Sequence, residues 1–182
     1  MRKLKVFESI SVDGYFTDPT GDMSFAHAVA PDAEFGAWVS QNAGGGGSLL
    51  FGRKTYELME MSWTSPAMME RMPAVARKMN AAKKYVATKT LSPKWNNSER
   101  LEGDLEPAVR ALKQSEGEPI VVLGSGSVVA SLAAAGLVDE VQLVVIAKAL
   151  GAGRTLFNRP LSLRLVDHRA FKNGNVVLTY AV

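Results

Sequence analysis

Residues 49–58, LLFGRKTYEL, set one glycine, two cations and a threonine between an apolar run and a helix-forming segment. The free N–H groups of a helix start, the Arg53 guanidinium, the Lys54 ammonium and the Thr55 hydroxyl could converge there on a phosphate, with Gly52 admitting it closely. The same residues also suit a plain strand end, with Thr55 as N-cap and two solvated cations. A second stretch, VLGSGSV over 122–128, repeats the pattern. Gly124, Ser125, Gly126, Ser127 and Val128 follow an apolar strand and open a helix, so their N–H groups could also meet a phosphate. Val129 stands where a dinucleotide fingerprint has its third glycine, and no Lys-Ser or Lys-Thr follows as in a P-loop. Packing alone could also require these glycines.

Thr88-Lys89, at the end of a strand read over 83–88, is a third element, because ligands of open α/β sheets bind at the carboxyl ends of strands. Two helix N-termini with a hydroxyl-lysine pair suit a pyrophosphate plus a phosphate monoester, which is the charge pattern of NADP.

Holding these groups together requires a sheet. Residues 3–16 alternate apolar and polar as a strand with a turn at Asp13-Gly14, and Asp32 opens a short amphipathic helix over 33–42 ended by Gly44 to Gly47. The pattern then predicts a strand at 48–51, helices at 55–63 and 67–81, and the strand at 83–88. A helix at 105–115 capped by Asp104, a strand at 119–123 and a helix at 128–135 ending at Gly136 complete the middle. The last third predicts a long strand over 138–150 and a hairpin turning at Lys172 to Asn175. The expected fold is a three-layer α/β domain spanning residues 1–182, with a mostly parallel central sheet and antiparallel C-terminal strands.

At 182 residues and 47% hydrophobic, one domain can bury a sizeable core. There is no run of eighteen apolar residues and no signal-peptide pattern, so a cytoplasmic protein away from the membrane is expected. The absence of cysteine excludes disulfides and thiolate chemistry, and with two histidines no metal site is expected. A net charge of +3 with interspersed acids argues against a nucleic-acid partner.

Five segments in this order resemble the dihydrofolate reductase-like superfamily, in its bacterial branch related to the reductase domain of riboflavin biosynthesis. They are SISVDGYF (9–16), LFGRKTYE (50–57), KYVATKTL (84–91) with Trp95 and Asn97 behind it, VLGSGSV (122–128) and LGAGRTLF (150–157). The resemblance spans nearly the whole chain and implies the dihydrofolate reductase-like fold with NADPH across the strand ends. It implies 2′-phosphoadenosine near Arg53, Thr88 and Lys89, pyrophosphate between Gly52 to Thr55 and Gly124 to Val128, and nicotinamide flanked by Ser9 and Phe16.

The family's carboxylate on the first helix has Glu34 and Asp32 as candidates here. Glu34 lies four residues before Trp38, where partial burial would raise its pKa and make it a proton donor, while Asp32 could instead cap the helix and Glu34 favour its dipole. Phe25, His27 and Trp38 are the candidates for contacting substrate. No basic residue is placed for a glutamate tail, so true dihydrofolate reductase activity is not expected. Met59, Met61, Met68, Met69 and Met72 with Trp63 could be core, line a substrate cavity or meet a second copy, and the resemblance favours a homodimer. The expectation is an NADPH-dependent reductase of a C=N or C=O bond in a small pterin- or pyrimidine-like substrate. The alternative is a non-catalytic nucleotide sensor on the same fold.

Overall fold

The alternation of Leu4, Val6, Glu8 and Ile10 builds the strand on which the molecule is assembled. The computed structural model describes residues 1–42 and 46–182. Along the chain come β1 (Leu4–Ser11), β2 (Tyr15–Thr17), a 3-10 turn (Ser24–Ala26), α1 (Ala33–Asn42), β3 (Ser48–Gly52), α2 (Arg53–Trp63), α3 (Pro66–Arg71), α4 (Pro73–Ala81), β4 (Lys84–Ala87) and β5 (Ser98–Arg100). They are followed by α5 (Leu105–Gln114), β6 (Ile120–Leu123), α6 (Gly126–Ala134), β7 (Glu140–Ile146), β8 (Arg154–Thr155), β9 (Arg164–Ala170) and β10 (Val176–Ala181).

Among the described residues, eight strands form one sheet in the order β5-β4-β3-β6-β1-β7-β10-β9, parallel as far as β7 and antiparallel at β10 and β9. This is the predicted fold class, including the hairpin at the edge. β2 and β8 pair outside the main sheet.

Strand alternation assigns the two faces. Leu50 and Val122 join Leu4, Val6 and Val141 in a core that Val109 of α5 and Val129 and Leu132 of α6 cover. Leu49, Phe51, Val121 and Leu123 point the other way, onto Tyr56 of α2 and Val75 and Met79 of α4. Farther along this face, Val144, Ile146 and Val177 meet Trp38 of α1 and Phe25. Neighbouring strands β3 and β6 therefore send their chains to opposite faces, β3 into α2 and β6 into α6. Such a divergence opens a crevice at the carboxyl ends of the two strands.

Several predicted boundaries move. α2 starts at Arg53 with Gly52 as its N-cap, and α6 starts at Gly126, so both helices begin two residues earlier than the apolar spacing predicts. Thr55 therefore sits inside the first turn of α2 and is not its N-cap. The helix predicted over 67–81 is two helices broken at Met72, because Pro73 lacks the N–H that a continuous helix needs and instead opens α4. Asp104 occupies the N-cap position of α5 without a side-chain capping bond. The long strand over 138–150 is shorter, Glu140–Ile146. β5, the polar stretch Ser98–Arg100, has no strand signature in sequence and forms by pairing with β4. The glycine run predicted to end α1 falls partly on residues 43–45, outside the described residues. No helix among the described residues is long and apolar enough to cross a membrane.

One buried hydroxyl ties α2 to the loop after β4. Tyr56 is 1% exposed, and its Oη accepts the N–H groups of Lys94 (3.1 Å) and Trp95 (2.7 Å). Tyr56→Phe strands both amides and is expected to lower stability by about 2 kcal/mol. Urea unfolding checks this, and an unchanged midpoint would mean that water satisfies both groups.

Candidate functional site

The two glycine turns meet in the crevice. Gly52 ends β3, and its N–H donates to Ser125 Oγ at 2.7 Å, joining the start of α2 to the turn before α6. Gly124 and Ser125 both have left-handed backbones, with φ of +62° and +67°. For Ser125 this conformation costs about 1 kcal/mol, and the bond from Gly52 helps offset it.

The glycines are there because side chains leave no room for more. A Cβ on Gly124 would lie 2.6 Å from Thr55 Cγ2, and one on Gly126 would lie 2.3 Å from Phe16 Cζ. At Gly52 a Cβ would meet Ser125 Oγ at 3.1 Å. The amides of Val128 and Val129 bond to Ser125 O, so the free N–H groups of the α6 start are those of Gly126 and Ser127. At α2 the N–H groups of Arg53, Lys54 and Thr55 likewise have no acceptor within the helix. Both positive helix ends thus open on one place, whose donor set suits a diphosphate.

A cleft of about 560 Å³ continues from this point, lined by Arg53, Thr88, Lys89, Ser127 and Val128 and bordered by Asp104. Its two cations hold exposed partners, with Lys89 Nζ 3.6 Å from Asp104 and Arg53 Nη1 3.9 Å from Glu57. Exposed pairs of this kind contribute little, so a phosphate dianion can compete for the same cations. Lys54 is exposed on the first turn of α2. Phe16 is half-buried on β2 with its ring on Gly126, while Ser9 lies on β1 opposite Val144, pointing away from the α6 face.

The residues predicted to contact substrate or donate a proton are arranged differently from the expectation. Trp38 and Phe25 are core residues, 8% and 3% exposed, and Trp38 packs on Phe7 and Phe35 at 6.1 Å each. They are buried because α1 and the 3-10 turn use their apolar sides to cover β7 and β10. His27 is exposed just after that turn. Glu34 is exposed too, accepting from Arg169 Nη2 of β9 at 2.7 Å, so the partial burial expected of a proton donor is absent. Asp32 is the N-cap of α1. Its carboxylate accepts the N–H groups of Glu34, Phe35 and Asn173, and with Phe35 contributing most these bonds hold its pKa below the usual carboxylate range. That is the wrong direction for a general acid at neutral pH.

Two acids of β1 and its turn are not among the predicted site residues. Asp13 accepts the N–H groups of Leu150 and Gly151, which pins the SVDG turn to the LGAG segment. Glu8 is 3% exposed at the α6 face of β1, and its Oε1 has no hydrogen-bond partner among the described residues. Burial pushes its pKa up to about 8, against the opposing pull of the Ser9 and Gly124 amides. A signal for Glu8 was present, since it falls in the apolar phase of the strand between Val6 and Ile10. Among the described residues, no three His, Cys, Asp or Glu side chains group to hold a metal.

The family model of the RibD C-terminal domain matches residues 2–177. The uncharacterised protein YyaP of Bacillus subtilis is 24% identical over 182 residues, covering 98% of this chain and 94% of YyaP. A structure from Shewanella sp. PV-4, provisionally named a riboflavin biosynthesis protein, has a TM-score of 0.70 at 18% identity over 98% of both chains. A pyrimidine reductase-like protein from Corynebacterium diphtheriae has a TM-score of 0.66 at 14% identity, over all of this chain and 92% of that one. A diaminohydroxyphosphoribosylaminopyrimidine deaminase/5-amino-6-(5-phosphoribosylamino)uracil reductase from Thermotoga maritima has a TM-score of 0.65 at 14% identity, over 99% of this chain and 56% of that one. At these identities the structural likeness shows a shared fold.

Proposed function

The chain belongs to the RibD C-terminal domain family, and from that premise we propose that it is an NADPH-dependent reductase acting on a C=N or C=O bond of a small pterin- or pyrimidine-like heterocycle. The observation that carries the proposal is the joined pair of glycine turns, where Gly52 N–H meets Ser125 Oγ and two helix starts face one point.

The Gly52 to Thr55 and Gly124 to Val128 segments hold the diphosphate from opposite sides, through the free N–H groups of Arg53, Lys54 and Thr55 on one side and of Gly126 and Ser127 on the other. Arg53, Thr88 and Lys89 take the 2′-phosphate in the adjoining cleft, and Lys54 adds positive potential at the mouth. Ser9 and Phe16 bracket the nicotinamide. When bound there, NADPH supplies the hydride. The protein's part is to fix the donor and the acceptor carbon at reacting distance and to exclude bulk water. An ordered water delivers the proton on the α1 side, a reading supported by the exposure of Glu34 and the lowered pKa of Asp32.

We also propose a homodimer. Leu58, Met61 and Met69 are more than half exposed on α2 and α3, an apolar surface that a second copy could cover.

The test is turnover. Absorbance of NADPH is followed with dihydropterins, pyrimidine ribosylamines and simple imines. Oxidation with one class is the expected result. Tight NADPH binding with no oxidation by any class would instead mark a nucleotide-binding protein without catalysis.

A further inference from the structure

Glu8 is a buried acid that the reading above does not use. The register Phe7 to Leu123 sets it level with Gly124 on the adjacent strand end, and its side chain points to the α6 face between Val6 and Ile10. It is 3% exposed, its Oε1 lacks a partner, and the Gly124 amide of the phosphate turn reaches its carboxyl. A group of this kind is costly to bury without a reason.

Resting on the reading that this turn takes a cofactor diphosphate, we propose that Glu8 is a proton-linked positioning residue of the clamp: its neutral form admits the diphosphate and its ionised form opposes it. Ionised Glu8 acts against the ligand twice. It places negative charge beneath the anion, and it draws the Gly124 amide down to itself.

Few other charges surround it. β6 and α6 carry no charged side chain. Glu140 of β7 is paired with Lys5 of β1 at 3.1 Å, Lys3 is exposed just before β1, and β2 contributes only the Tyr15 phenol. Asp13, after β1, is held by the Leu150 and Gly151 amides, and Arg53 and Lys54 stand exposed on α2. None of these is among the influences on the Glu8 carboxyl, whose pKa burial pushes up and two backbone amides pull down. Lys84, lowered to about 8 by burial, titrates in the same range but stands at the amino end of β4.

The sign follows from the geometry. Above about pH 8 free protein carries ionised Glu8, so binding takes up a proton, and affinity falls by up to about tenfold per pH unit. Calorimetric titration of the intact protein with NADPH, in two buffers of different ionisation heat, reads that proton directly. At about pH 9 the 2′-phosphate, whose second pKa is about 6, is fully ionised and adds nothing. The expected result is uptake of nearly one proton per NADPH at pH 9 and almost none at pH 7, with E8Q abolishing both the uptake and the loss of affinity. Wild-type binding at pH 9 with no uptake overturns the proposal whether or not E8Q folds, as does uptake that persists in E8Q. Failure of NADPH to bind at either pH removes the clamp itself, and so separates failure of the functional reading from failure of the linkage alone.

Discussion

At pH 8 and above, E8Q is expected to be more stable than the wild type, by as much as about 5 kcal/mol. In the unfolded chain Glu8 ionises near its ordinary value of 4.5, whereas in the folded protein burial holds the proton until about pH 8. Between those values the native state binds the proton that the unfolded state has released. The stabilisation is therefore fully present below pH 4.5 and is lost as pH rises through 8. Glutamine mimics the neutral acid in shape and does not ionise, so its stability lacks this slope. The unmet donors of the Gln amide reduce the advantage without changing its sign. Urea unfolding of both proteins from pH 4.5 to 9 measures the difference. Parallel curves over that range would show that Glu8 ionises freely and that its burial has no energetic consequence.

Gly124→Ala is expected to lower stability by about 2–3 kcal/mol and to weaken NADPH binding by about 100-fold. Two effects add at this position. The backbone is left-handed, which costs an L-residue about 1 kcal/mol, and the new Cβ would sit 2.6 Å from Thr55 Cγ2, pushing the start of α2 away from the turn. Gly136→Ala is the control. Its φ is +64°, but a Cβ there meets nothing within 4 Å, so it pays the conformational term and leaves binding intact. Calorimetry and unfolding on both variants separate the terms. Equal loss of NADPH affinity in the two would mean that the contact with Thr55 does not shape the site.

The parts of this molecule legible in the sequence are those governed by local rules. LLFGRKT and VLGSGSV announce strand-turn-helix junctions through glycine placement, and Lys172 to Asn175 announces a hairpin. The parts that were misread depend on what covers them. Trp38 is among the predicted substrate contacts, but Phe7, Phe35 and Phe171 already surround it. Glu34 had the right helical spacing for a half-buried acid, and it is the approach of Arg169 from β9, 135 residues away in sequence, that fixes it at the surface. Glu8 stands in the apolar phase of β1, but a single glutamate there marks no site until the fold brings the Gly124 turn beside it. Thr55, the N-cap in the plain strand-end reading, lies within the first turn of α2, because apolar periodicity locates the middle of a helix better than its first turn.

The central claim is that the joined turns and the cleft beside them bind a dinucleotide carrying a 2′-phosphate. The most direct measurement compares thermal stabilisation of the wild type by NADPH and NADH at equal concentration, repeated with Arg53→Ala. The account predicts a clearly larger upward shift with NADPH, and a preference that shrinks in the variant by the equivalent of about 1 kcal/mol, as befits an exposed cation. Equal shifts with the two nucleotides, or no shift with either, would contradict it.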